Sequence, residues 1–186
     1  AGYLLESELK YLGGLLRSPQ KPFLSILGGA KVSDKIEVIR SLMKTSDEII
    51  VGGAMAYTFL RAMGHDMGNS LVEEGRIPLA EKILSMAEKE GVQFHLPVDH
   101  IVADDFSEDA AVQTVRNGEV GANWMGMDIG PQSVSLFEES IGRAQTILWN
   151  GPMGVFEMSP FAGGTNAIAR AVSRSSATTV VGGGDS

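Results

Sequence analysis

Leu5, Leu9, Leu12 and Leu16 recur at spacings of four, three and four, which predicts a helix with one apolar stripe over about residues 1–17, ended by Gly13-Gly14 and Pro19. The run Pro22 to Leu27 has a different pattern. It is short and continuously apolar, as in a strand buried on both faces of a parallel sheet, and Gly28-Gly29 closes it. Asp34 and Glu37 have the spacing of a capping box, so a helix is expected to start there, with Ile36, Ile39, Leu42 and Met43 on its inner face. A second unit follows. Glu48 to Val51 predicts a strand running into Gly52-Gly53, and Met55, Phe59, Leu60 and Met63 continue at helical spacing.

Pro78 suits a first helical position, and Leu79, Ile83, Leu84 and Ala87 carry the helix to Gly91 as its stop. Gln93 to Leu96 is the next expected strand. Between Asp99 and Gly130 the pattern weakens to short strand-like pieces, Ile101 to Ala103 and Ala111 to Val115, separated by turn residues. Regularity returns with a helix over 132–141, a strand over 146–149, and a helix capped by Ser159, begun by Pro160 and faced by Phe161, Ile168, Ala169 and Val172. The strand Thr178 to Val181 then runs into Gly182-Gly183-Gly184-Asp185-Ser186. Strands alternating with helices, without long polar linkers, predict one α/β unit over residues 1–186. The expected architecture is a Rossmann-like three-layer domain, its mainly parallel sheet flanked by helices.

Charge narrows the partners. A formal net charge of -8 argues against nucleic acid, whose phosphates are bound by clustered Lys and Arg. The absence of cysteine excludes a disulfide framework and a thiolate zinc site, and suits the cytoplasm. The opening segment has neither a basic start nor an unbroken apolar stretch, so no membrane partner is expected.

Four predicted strands end in glycine-bearing loops: Gly28-Gly29, Gly52-Gly53, the Asn150 to Gly154 segment, and Gly182 to Gly184. In a parallel sheet these C-terminal ends share one edge, where ligands bind and glycine permits close approach of backbone N–H groups. Any one pair is equally a tight turn; four together point to an anion site. Lys35 sharpens this, because the pattern puts a cation at a helix start, where the macrodipole disfavours it unless an anion is near. With Lys31 in the preceding loop, two ammonium groups and a helix N-terminus could converge on one phosphate chain; the other reading is two solvated surface lysines. The segment is not a Walker loop, and no G-x-G-x-x-G follows a strand.

Asp185 suits a magnesium ligand or a turn former, and Glu157 a ribose acceptor or a loop charge; spacing leaves both open. His65, His95 and His100 show no metal-ligand spacing, and Trp124 and Trp149 are expected in or near the core.

The strings LGGAKVSDKI, GGAMAYTFL, MGMDIGP, WNGPMGVFE and GGGDS, in this order, resemble phosphoglycerate kinase along essentially the whole chain. The resemblance implies the C-terminal, nucleotide-binding domain of a two-domain kinase that moves a phosphoryl group between 1,3-bisphosphoglycerate and ADP with Mg2+, in glycolysis. It implies that Gly29, Ala30 and Lys31 flank ADP or ATP and that Lys35 neutralises the transferred phosphoryl group. Gly53, Gly126 and Met127 would line the adenine slot with Pro152 and Val155. Asn150 would sit near the phosphates, Glu157 would bind ribose, Asp185 would reach the metal, and Ser186 stands where the family has Ser or Thr. Gly183 and Gly184 would offer backbone N–H groups to the phosphates, making them catalytic with Lys35. Ala54 stands where some members have glycine.

The family's N-terminal phosphoglycerate-binding domain and the segment beyond GGGDS have no counterpart in these residues. An ADP-binding unit without turnover is therefore expected, with acceptor positioning lost. The full enzyme is expected to be a monomer, whereas Val180 and Val181 at an uncovered edge favour self-association of this piece. Two other readings remain at this stage: a nicotinamide-dependent dehydrogenase lacking its fingerprint, and a ligand-free α/β module.

Overall fold

The computed structural model describes residues 17–182. The expected opening helix and the residues Gly183, Gly184, Asp185 and Ser186 lie outside the described residues. Five strands make one sheet: β1 (Phe23–Leu27), β2 (Glu48–Val51), β3 (Gln93–His95), β7 (Thr146–Asn150) and β8 (Thr178–Gly182). Their order is β3-β2-β1-β7-β8, and every neighbouring pair is parallel. Sequence order therefore reverses at β1: the chain proceeds to β2 on one side, while β7 and β8 occupy the other.

Alternation within the central strands builds two cores. Phe23 and Leu27 of β1, Ile49 and Val51 of β2, and Leu148 of β7 face α1 (Ile36–Met43), α2 (Met55–Ala62) and α3 (Ile77–Glu90). Leu24, Ile26, Ile50, Ile147 and Trp149 point to the other face, against α4 (Pro131–Arg143) and α5 (Gly163–Arg174). The result is the three-layer α/β arrangement expected from the sequence. Each fully buried Leu, Ile or Phe here contributes about 1.5–3 kcal/mol relative to exposure, so the sheet's two faces carry most of the stability. Strand β8 is an edge, and Val181 on it is exposed.

Four expectations need correction. Residues 99–129 form a second sheet, antiparallel, of β4 (Asp99–Ala103), β5 (Val112–Arg116) and β6 (Met125–Ile129) in the order β5-β4-β6. Short strands, one exposed along most of its length, give little periodicity, which is why this stretch looked irregular. Asp34 and Glu37 form no capping box: Asp34 ends a 3-10 turn over Val32–Asp34, and Lys35 occupies the N-cap position of α1 without a side-chain capping bond. Ser159 begins a separate 3-10 turn over Ser159–Phe161, and α5 starts only at Gly163. Ala169, expected on the inner face of α5, is exposed.

Side chains from other elements fix helix ends. The Asp99 carboxylate on β4 accepts from the backbone N–H groups of Gln132 (2.9 Å) and Ser133 (2.8 Å) and from the Ser133 hydroxyl (2.7 Å). It thereby caps α4 across 33 residues of sequence separation or more.

Candidate nucleotide site

The glycine loops after β1, β2 and β7 meet at the point where strand order reverses, the usual crevice for ligands in an open parallel sheet. Backbone bonds stitch them together. Gly28 N–H donates to Asn150 O (2.8 Å), Gly29 N–H to Pro152 O (3.2 Å), and Gly53 N–H to Met153 O (3.1 Å). This approach is too close for side chains. A Cβ at residue 28 would stand 2.1 Å from Pro152 O, and Gly53 combines φ 71° with a Cβ position 2.5 Å from Gly29 O.

Lys35 sits at this junction. Its side chain is buried at 6% exposure, which for a lysine requires polar partners, and its Nζ donates to Asn150 Oδ1 at the end of β7. The sequence separation of 115 residues is bridged because β1 and β7 are adjacent, so the loops that follow them face each other. Lys31, by contrast, is exposed in the same loop, and its side chain is not brought to the buried junction. A clamp holds this loop from the far side: the Glu73 carboxylate accepts from Ser33 N–H (3.1 Å) and the Ser33 hydroxyl (2.7 Å).

Beside Lys35 opens a cleft of about 260 Å³. Eight residues assigned to the nucleotide line it: Gly29, Ala30, Gly53, Gly126, Met127, Pro152, Val155 and Glu157. Ala54, Gly154 and Tyr57 complete the wall. The first sheet supplies the glycine loops, whereas Gly126 and Met127 come from β6, so the site lies where the two sheets meet. Asn150 is buried beneath the loops and reaches the site through Lys35. Gly183, Gly184, Asp185 and Ser186 lie outside the described residues.

Tyr57 and Asp128 were not singled out in the sequence. Tyr57 on α2 is 3% exposed, packs edge-on against the ring of His100 (5.7 Å between centroids, 75° between planes) and dictates what can stand at 126. A Cβ at residue 126 would lie 2.5 Å from both Cζ and Oη of Tyr57, so only glycine fits there. The one available signal was that GGAMAYTFL places a phenol, not a purely apolar ring, in the first turns of a helix that opens on a glycine loop.

Asp128 is 2% exposed and accepts from Gly164 N–H at the start of α5 and from Ile129 N–H, each at 2.8 Å. Burial pushes its pKa up to about 7 against the opposing effect of those two N–H donors. Its neighbour Met127 accepts at the backbone from Val155 N–H (2.9 Å), and Thr165 Oγ1 accepts from Met153 N–H (3.0 Å). The 151–157 loop is thus held by β6 and α5 together. Nothing in the sequence marked Asp128, because its role depends on a contact between elements 36 residues apart.

A sequence profile described as phosphoglycerate kinase matches residues 1–186. The chain belongs to the phosphoglycerate kinase family. A phosphoglycerate kinase of Acidobacterium capsulatum is 54% identical over 188 residues, covering 100% of this chain and 46% of that protein, and one of Clostridium botulinum is 48% identical over 185 residues with the same coverage. The solved structure of phosphoglycerate kinase from Coxiella burnetii matches with TM-score 0.92 at 42% identity, over 97% of this chain and 47% of that one. The Pyrococcus horikoshii enzyme matches with TM-score 0.82 at 31% identity, over 98% and 46%. The chain therefore spans about half the length of the phosphoglycerate kinases it matches. Among the described residues, no helix is long and apolar enough to cross a membrane.

Proposed function

We propose that this chain is the nucleotide-binding half of a phosphoglycerate kinase, and that its cleft takes the adenine of ADP or ATP while Lys35 meets the phosphate chain. The observation that carries the reading is the convergence of the eight assigned residues on one cleft beside a buried lysine. Glycine, alanine, proline, valine and methionine walls suit a flat aromatic base, and Glu157 at the same cleft suits hydroxyl donors of a ribose. The NAD reading loses ground because the loop after β1 leads into Lys35, which meets Asn150, with no glycine fingerprint leading into a helix.

In the proposed reaction a phosphoryl group passes between 1,3-bisphosphoglycerate and ADP. Little covalent chemistry is asked of the protein; the catalytic work is positioning and neutralising charge on the transferred group. The Lys35 ammonium is poised for that role, because Asn150 fixes it and burial strengthens its field. Mg2+ would arrive with the nucleotide and offset phosphate charge, with Asp185 as its protein carboxylate. A hard cation held mostly by phosphate and water oxygens needs only one or two such ligands. Gly183, Gly184 and Ser186 would supply N–H and hydroxyl donors to the same phosphates.

The phosphoglycerate partner is assigned to the part of the relatives that this chain does not span, so the 186 residues by themselves should bind ADP without turnover. A coupled assay for phosphoglycerate-dependent ATP consumption, run beside Mg-ADP titration, tests both halves of the statement. ADP binding without consumption is expected. Consumption that survives removal of contaminating host enzyme contradicts the second half, and a folded sample that ignores ADP contradicts the first.

A further inference from the structure

The cleft wall contains one hydroxyl that makes no hydrogen bond to the protein. Tyr57 is 3% exposed, yet its hydroxyl bonds to no other group among the described residues. A tyrosine hydroxyl at the wall of a cleft, with no partner in the protein, is left to solvent or to a bound ligand for its hydrogen bond. The hydroxyl end of the ring lies over Gly126, itself part of the cleft wall, and the edge-on contact with His100 fixes the ring plane. Around it the wall is Gly53, Ala54, Gly126 and Met127, none with a strong hydrogen-bonding side chain. Burial, and secondarily the Asp128 carboxylate, hold the phenol well above its ordinary pKa, so it keeps its proton and can donate.

Resting on the reading of this cleft as the adenine site, we propose that the Tyr57 hydroxyl donates a hydrogen bond to a bare ring nitrogen of the purine. Tyr57 then does what the glycine walls cannot. The walls accept any flat aromatic surface by shape, while the phenol recognises a base that presents an acceptor at its edge. The close fit of Gly126 against the phenol belongs to the same device, since any larger residue at 126 would push the hydroxyl out of place.

The test is Tyr57→Phe, which keeps the ring and removes only the hydroxyl. Calorimetric titrations with Mg-ADP and with Mg-pyrophosphate, a probe that has no base, are run on both proteins, with thermal unfolding of each ligand-free protein alongside. The expected result is a loss of about 3- to 10-fold in ADP affinity, the span of one hydrogen bond. Pyrophosphate affinity should stay within about twofold, and ligand-free stability should change little, because the hydroxyl has no hydrogen bond to the protein to lose. ADP bound equally well by both proteins overturns the role of Tyr57 and leaves the cleft's assignment standing. Equal losses for ADP and pyrophosphate also overturn it, since they would mean a general disturbance of the site. Failure of the unsubstituted protein to bind ADP at all overturns both this inference and the adenine reading beneath it.

Discussion

Lys35 Nζ donates to Asn150 Oδ1 across the seam between β1 and β7. One partner is supplied by the loop after the first strand and the other by the last residue of the seventh, so the ammonium is aimed by the register of the sheet itself. Asn150→Ala keeps the charge and removes one guide. ADP affinity is expected to fall by about 3- to 10-fold, the span of one ordinary hydrogen bond, because Asn150 acts on the phosphates only through Lys35. Titration calorimetry checks this, and unchanged affinity would mean that Asn150 does not position the lysine.

Gly126→Ala should damage fold and site together. The added methyl would stand 2.5 Å from Cζ and Oη of a tyrosine that is itself nearly fully buried, so ring or strand must move. A cost of about 1–3 kcal/mol is expected from such overpacking. Urea unfolding measures it. Gly75→Ala, where a Cβ would meet nothing within 4 Å and φ, as at Gly126, is not positive, serves as the comparison for the loss of a glycine alone.

Glu48 ties three elements at the opposite end of the sheet. Its Oε1 accepts from Arg143 (2.7 Å) and Ser140 (3.1 Å) on α4 and meets His95 Nε2 of β3 at 2.8 Å. Burial pushes its pKa up, but the donors from Arg143, His95 and Ser140, with the Arg143 charge, together outweigh it and hold Glu48 below the usual carboxylate value. A lowered folded-state pKa means the stabilisation is present above the unfolded value, about 4.3, and is lost as pH falls below it. Glu48→Gln should cost about 1–3 kcal/mol at neutral pH and flatten the acid limb of the stability curve. Equal acid limbs in both proteins would contradict the assignment.

Asp128 carries the opposite sign. Its pKa is raised to about 7, so between about 4 and 7 the unfolded chain has released a proton that the folded protein keeps. Stability contributed by this group therefore declines as pH rises through that window. Unfolding midpoints measured from pH 5 to 8 should fall more steeply in the unsubstituted protein than in Asp128→Asn. Parallel curves would show that Asp128 does not titrate in this range.

Much of this was legible because the signals were local. Buried parallel strands announce themselves as apolar runs, and the glycines that end β1, β2 and β7 follow directly, so the three-layer fold and the edge where the glycine loops gather could be read from spacing alone. Strands β4, β5 and β6 could not: β5 is largely exposed and β4 pairs with it and with β6 at a bulge between Ile101 and Val102, which leaves no clean alternation. Helix starts were misplaced where a tertiary partner took over. Lys35, not Asp34, stands at the N-cap position of α1, its side chain drawn to Asn150, and α5 waits until Gly163 because residues 159–161 turn separately. Tyr57 and Asp128 escaped for a similar reason, since a tyrosine or aspartate acquires its meaning from what a distant strand places beside it.

The most direct test of the account is calorimetric titration of the folded 186-residue chain with Mg-ADP, run in parallel on Lys35→Ala. The account predicts saturable binding at one site, weakened at least about 10-fold when the ammonium is removed, the scale of one charged hydrogen bond. A folded chain that takes up no ADP, or that binds it equally well without Lys35, would contradict the claim that the glycine-lined cleft and the buried lysine form one nucleotide site.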